Sequence, residues 1–254
     1  MEYYVLQLIL LIIIFVRVVT VLSVAPIFSN EVIPVQIRLA ISLFFAFTLF
    51  PILRDQLPHI NLDFLSFVIL VLIETVTGLI IGFMIHMIFL GMQIAGELMG
   101  YDLGLNVATM YDPETGNNPV MGRFFYYTSI LIFLFLNGHH FIVESIKISY
   151  ESIPISGFVI SNDFIEKAVK ITSTIFIVAI KIAAPVIISL FLTNIALGIM
   201  ARVVPQMNIF IVGFPLKIGI GLLVITAMIP FAFVIFKKLL NIFEFSIVEL
   251  IRVM

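Results

Sequence analysis

Residues 64–96 read FLSFVILVLIETVTGLIIGFMIHMIFLGMQIAG, an apolar run whose only ionisable side chains are Glu74 and His86. As one straight helix it is about 50 Å long at a rise of about 1.5 Å per residue. The hydrocarbon core of a bilayer is about 30 Å thick. A segment of this kind tilts, breaks or leaves the membrane. Residues 169–204 are overlong in the same way and carry Lys181, Pro185, Asn194 and Arg202. A charge at mid-membrane costs at least about 2.5–3.5 kcal/mol, so these groups face protein or water rather than lipid.

The rest of the chain agrees with a membrane reading. Of 254 residues, 62% are hydrophobic and 11% charged, against roughly 25% charged in soluble domains. About six apolar segments emerge: 3–28, 37–53, 64–96, 124–143, 169–204 and 209–236, with a short tail helix expected over 239–253. Turn-forming residues punctuate them at 26–34, 51–61, 112–119, 152–163 and 205–208. The small-x-small sequence Ser23-Val24-Ala25 could pass for a signal-peptidase site. The start of the chain lacks a positive region, the apolar run is long and Pro26 follows directly, so an uncleaved helix is expected.

A net charge of −2 gives no basic excess for nucleic acid. With no cysteine, disulfides, thiolate metal sites and thiol nucleophiles are excluded. The histidines His59, His86, His139 and His140 form no HExxH pattern, and there is no P-loop, GxSxG or GxGxxG sequence. Carboxylates occur singly rather than paired. No catalytic residue, metal site or cofactor is expected.

Arg17 lies near the middle of the first apolar segment, with Glu74 and Glu97 as its candidate partners. With Arg123, Lys181 and Arg202 these make up the candidates for buried charge. Either a structural ion pair or a transport pathway fits them. Glycines recur at Gly78, Gly82, Gly96, Gly100 and Gly104, the small-xxx-small spacing that lets helix backbones approach closely. Glu74, Gly78, Gly82, Met92, Gln93, Gly96 and Gly100 share a stripe about 100° wide on one helix. Packing within the chain and a subunit interface are equally compatible with it. Residues 106–123, NVATMYDPETGNNPVMGR, form a polar turn region between two apolar stretches, with Asp112-Pro113 and Asn118-Pro119 as turn dipeptides. Irregular backbone at membrane depth survives only against protein or a water-filled cavity. The segment is either an exposed loop or one folded into a pore, with Met110 and Tyr111 as apolar wedges; methionine adapts to irregular gaps.

A series of residues in fixed order carries a family resemblance. It begins with Arg17, Ala25-Pro26-Ile27, Ser29, Pro34 and Arg38. It continues through Gln93, Ala95-Gly96-Glu97, Gly100, Gly104-Leu105, Asp112-Pro113, Asn118-Pro119-Val120, Arg123 and Asn137-Gly138-His139. It ends with Asn194-Ile195-Ala196-Leu197-Gly198, Arg202, Pro205-Gln206-Met207 and the run IFIVGFP at 209–215. In that order and spacing the chain resembles the FliR family of flagellar type III export proteins, whose injectisome counterpart is SctT.

The resemblance implies an all-α fold of membrane-type helical hairpins, some overlong or broken, within a helical export-gate assembly. It implies FliP-type and FliQ-type subunits, FlhB-type and FlhA-type export proteins, unfolded protein substrates and membrane lipid as partners. The place implied is the bacterial inner membrane, at the flagellar basal body. Residues 1–160 would correspond to a FliP-like part and 161–254 to a FliQ-like hairpin with its tail. The pore plug of the family carries over to 106–122, with Asn106, Met110, Tyr111, Asp112, Pro113, Asn118, Pro119 and Met121. Met110 stands where relatives often have Phe, and Glu114-Thr115-Gly116 adds a carboxylate. The competing class is a small-solute secondary transporter with broken helices; an inverted repeat would favour it, and the charged, glycine-rich third segment has no counterpart in the later half.

Overall fold

The computed structural model describes residues 2–30, 32–53, 64–105, 119–155, 157–159, 161–206 and 208–253. The described residues form seven helices and no strand: α1 (Glu2–Val24), α2 (Val35–Leu53), α3 (Phe64–Leu103), α4 (Val120–Phe135), α5 (Gly138–Ser152), α6 (Asn162–Val203) and α7 (Ile209–Ile251). Five are long and apolar enough to cross a membrane, or six when α4 and α5 count as one broken span. The all-α, polytopic architecture is the one expected.

The three overlong helices are continuous. α3 has 40 residues, α6 has 42 and α7 has 43, roughly 60 Å or more each. α3 contains no proline and runs to Leu103, beyond the expected end at 96. α7 absorbs the expected tail helix, because the stretch through Lys237-Lys238 contains no breaker. Conversely, the expected helix over 124–143 is split: Asn137 has φ 59°, a conformation asparagine tolerates better than most residues, and a new helix starts at Gly138.

Helix ends follow local chemistry. Ser161 Oγ accepts the Phe164 N–H at 3.0 Å, an N-terminal cap for α6. Pro185, Pro215 and Pro230 lie inside helices, each removing a backbone donor. In apolar helices Ser and Thr serve their own backbone: Ser189 Oγ donates to the Pro185 carbonyl at 2.8 Å, and Thr20, Thr77 and Thr193 donate to carbonyls one turn back. No hydroxyl need then be exposed unsatisfied to lipid.

The helices divide into two units. One comprises Met1–Met87, Asn137–Ile171 and Asn241–Met254; the other comprises Ile88–Leu136 and Thr172–Leu240. In the first unit α1 buries Leu10, Ile13, Ile14, Arg17, Val18, Val21 and Leu22 completely, a stripe of helical period. In the second, the buried Phe89 ring meets the rings of Phe133, Phe236 and Tyr126 edge-on at 5.1, 6.2 and 6.4 Å between centroids, a favoured aromatic geometry.

Candidate functional site

Arg17 and Glu74 are both completely excluded from solvent. Arg17 Nε donates to Glu74 Oε2 at 2.5 Å and Nη2 to Oε1 at 3.0 Å, the bidentate fork that matches a carboxylate. Arg17 Nη1 donates to the carbonyls of Ser149 and Ile153, both at 3.2 Å, at the C-terminal end of α5. There the carbonyls of the last turn and the helix dipole attract a cation. The guanidinium also lies 4.0 Å from the Tyr150 ring centroid, and the Tyr150 hydroxyl donates to the Ile14 carbonyl at 3.2 Å. One side chain of α1 thus ties α3 and α5 together with every donor nitrogen engaged.

The same face of α3 lies close against α1. A Cβ added at Gly78 would meet the Arg17 carbonyl oxygen at 2.8 Å and Thr20 Cβ at 2.9 Å. One added at Gly82 would meet Val24 Cβ at 2.8 Å and the Val21 carbonyl oxygen at 2.9 Å. The first two glycines of the stripe therefore serve a helix crossing within the chain, and that crossing sets the depth at which Arg17 meets Glu74.

In the second unit the described residues include both roots of the 106–122 segment. At the N-terminal root, α3 ends in a Schellman motif: Leu105 N–H donates to the Gly100 carbonyl at 3.2 Å and Gly104 N–H to that of Tyr101 at 3.1 Å. Gly104 has φ +77°, the left-handed conformation this motif requires. A Cβ there would also lie 3.1 Å from the Phe214 ring.

At the C-terminal root, α4 starts after Pro119. Its first turn crosses α3 so closely that a Cβ on Gly96 would run into the backbone of Met121 and Gly122. Gly122 in turn faces Glu97, whose Cγ lies 2.7 Å from where a Cβ would be. Gln93 Nε2 donates to Glu97 Oε1 at 2.8 Å, holding that carboxylate along α3. Pro119 and Met121 thus belong to a tightly fixed turn. Asn106, Met110, Tyr111, Asp112, Pro113 and Asn118 lie outside the described residues.

The charge candidates separate. Arg17 and Glu74 are buried and paired; Glu97 is half-buried; Arg123, Lys181 and Arg202 are exposed on this chain and have no ion-pair partner among the described residues. Ser149, Tyr150 and Ile153 complete the Arg17 site without having been singled out in the sequence. They lie more than 130 residues from Arg17, and no local pattern signals such a contact. No cluster of three or more metal-ligating side chains occurs among the described residues.

The chain is similar over most of its length to known proteins. The family described as bacterial export proteins, family 1, matches residues 8–242. The flagellar biosynthetic protein FliR of Bacillus subtilis (strain 168) is 32% identical over 238 residues, covering 92% of this chain and 90% of the relative. That of Escherichia coli (strain K12) is 31% identical over 241 residues, covering 92% and 91%. FliR of Aquifex aeolicus (strain VF5) is 29% identical over 235 residues, covering 91% of each.

Proposed function

The chain belongs to the bacterial export proteins, family 1, alongside the flagellar biosynthetic FliR proteins, and from that premise we propose that it is a structural, pore-lining subunit of the flagellar export gate. It is a membrane-type helical component of the flagellar export apparatus. The finer reading places loop 106–122 in the pore as a plug that blocks ions and water and moves aside when an unfolded protein substrate threads past. The chain's own role is to hold the plug's ends and shape the passage. The driving energy comes from the proton motive force and a separate ATPase.

The observation that supports this most directly is the rooting of the loop. Its N-terminal root is fixed by the backbone bonds at Gly104-Leu105 and its C-terminal root by the contact of Gly122 with Glu97 and of Gly96 with Met121. A loop anchored at both ends can shift in its middle and return to the same position, which is what a reversible plug needs. A linker joining helices needs neither close glycine contact.

In the assembly residues 1–160 take the place of a FliP-type subunit and 161–254 that of a FliQ-type hairpin. FliP-type and FliQ-type subunits are its lateral neighbours, with FlhB-type and FlhA-type proteins on the cytoplasmic side of the inner membrane. The exposed apolar side chains of α2, such as Phe44 and Phe47, suit lipid or neighbouring subunits. Family membership favours this gate over a small-solute transporter.

Two measurements test the reading. Co-expression with FliP-type and FliQ-type partners and extraction in mild detergent should return one stoichiometric complex; a particle indifferent to those partners would overturn the subunit assignment. A strain with loop 106–122 shortened should assemble the gate yet leak ions. Normal impermeability in that strain would sink the plug reading while leaving the subunit reading intact.

A further inference from the structure

Leu103 is completely buried, although it is the last residue of α3. What covers it is α7. A Cβ added at Gly221 would run into Leu103 Cδ2 and lie 3.2 Å from Leu103 Cγ, so the leucine fills the space that any other residue at 221 would need. Leu190 of α6, also fully buried, completes the socket, with its Cδ2 3.5 Å from the same point.

The contact is reciprocal. Next to Leu103, Gly104 has Phe214 of α7 against it, 3.1 Å from where a Cβ would be. A large side chain of each helix thus faces a glycine of the other, Leu103 at Gly221 and Phe214 at Gly104. Phe214 and Gly221 lie about 10 Å apart along α7 and about 20° apart around it, so one face of α7 holds the end of α3 at two points. Two such points fix axial register as well as distance. A slip of α7 by one turn, about 5.4 Å, would bring Ile218 or Ile225 against Leu103 in place of the glycine. Glycine is disfavoured inside a helix, and the neighbouring Gly219 meets nothing within 4 Å; Gly221 alone of the two makes room for a side chain.

We propose that α7 positions the N-terminal root of loop 106–122, with Leu103 and Gly221 as the positioning pair: the seat of Leu103 sets where the chain leaves α3, and so how well the gate seals at rest. The inference rests on the plug reading of that loop. The backbone bonds at Gly104 and Leu105 fix the turn relative to α3 alone. Leu103 at Gly221 and Phe214 at Gly104 relate it to the α6–α7 hairpin as well. Close-packed side chains transmit displacement rather than absorb it, so a movement of α7 along its axis reaches the root without any contact with the loop itself.

The test uses the full chain assembled with FliP-type and FliQ-type partners in membrane vesicles, and reads the decay of an imposed pH gradient beside the yield of complex. G221A and L103A should assemble and leak several-fold faster than the parent. L103V/G221A, which trims the leucine as it fills the socket, should regain most of the seal, and G219A should leave it unchanged. Shortening loop 106–122 should also cause a leak, to which G221A adds nothing. Tight gates in G221A and L103A beside a leaky loop-shortened gate would overturn the positioning role and leave the plug reading intact, as would a further leak from G221A in the shortened background. A tight loop-shortened gate would overturn the plug reading and this inference with it. Where G221A lowers the yield of complex, L103C/G221C in this cysteine-free chain decides, because Leu103 Cγ marks a sulfur position within bonding reach of residue 221. The oxidised pair should seal like the parent and the reduced pair should leak; no bond, or a bond that leaves the leak unchanged, overturns the assignment.

Discussion

Arg17 and Glu74 form a bidentate ion pair with no solvent exposure on either side chain, and the carbonyls at the end of α5 take up the remaining guanidinium donors. A buried ion pair is weak evidence for net stability, because desolvating both charges can cost as much as their attraction returns. Its contribution here is register. The pair forms only when α1, α3 and the end of α5 lie at matching depths, so a slip along any of the three leaves a charge buried alone.

Breaking that pair from one side is therefore expected to be severe. Arg17→Ala or Glu74→Gln should destabilise the chain by about 3–5 kcal/mol, read as a lower unfolding temperature in mild detergent and a low yield of assembled complex. The double variant R17M/E74L should recover part of the loss, since no unpaired charge remains. Full recovery is not expected, because Ser149 and Ile153 lose the donor that caps them. Single variants as stable as the parent would show that the site tolerates an unpaired charge and would refute the register argument.

Gly78 and Gly82 on α3 should respond in the opposite direction to Gly198 on α6 and Gly219 on α7. Gly78→Ala and Gly82→Ala push a methyl into the backbone and Cβ atoms of α1, and overpacking of this kind costs about 1–3 kcal/mol. Gly198→Ala and Gly219→Ala meet nothing within 4 Å and should raise stability by up to about 1 kcal/mol through helix propensity. Thermal unfolding of the four purified variants decides it. Equal effects at all four positions would mean that close approach is not what the stripe is for.

Length and apolarity made two of the overlong helices legible in the sequence, over 64–96 and 169–204; no proline interrupts 64–103, and α6 runs on through Pro185. The split at Asn137 had a signal too: Asn-Gly is a turn dipeptide even inside an apolar run, and its presence there outweighs hydropathy. The tail helix expected over 239–253 instead continues α7, past Lys237-Lys238 where the expected apolar segment ends. Two lysines do not break a helix, though; they only mark where its surroundings change. For Arg17, scarcity of charge narrowed the partners to Glu74 and Glu97. Choosing between them needed the α1–α3 crossing, and the α5 carbonyls and Tyr150 needed the tertiary fold, because they adjoin Arg17 only in space. Lys181 and Arg202 were grouped with the buried charges by the cost of exposing a cation to hydrocarbon; on this chain both are exposed.

At the N-terminal root of loop 106–122, Gly104 is fixed by backbone conformation as well as by packing. Gly104→Ala forces an L-residue to φ +77°, a penalty of about 1–2 kcal/mol, and adds a contact with Phe214. Gly104→Asn adds the same Cβ, but asparagine tolerates the left-handed region. The difference between the two variants in unfolding temperature thus isolates the backbone term. G104N should be the more stable and the better exporter in a motility assay. If G104A equals G104N, crowding by Phe214 dominates and the Schellman motif is incidental.

The C-terminal root offers a sharper distinction, because two neighbouring glycines are blocked by different things. A Cβ at Gly122 meets the Glu97 side chain, with Cγ at 2.7 Å, while the nearest backbone oxygen, that of Gln93, lies at an ordinary 3.4 Å. Gly122→Ala alone should lower stability and disturb the loop, and trimming the obstacle in E97A/G122A should restore most of the loss. A Cβ at Gly96 meets the backbone of Met121 and Gly122, which no side-chain truncation removes, so G96A should be as damaging in the E97A background as alone. The coupling between positions 97 and 122, measured by a double-mutant cycle on unfolding temperature, should be large, and that between 97 and 96 small. A cycle with no coupling at 97 and 122 would place Glu97 away from the loop's root and remove the carboxylate from the structure that holds it.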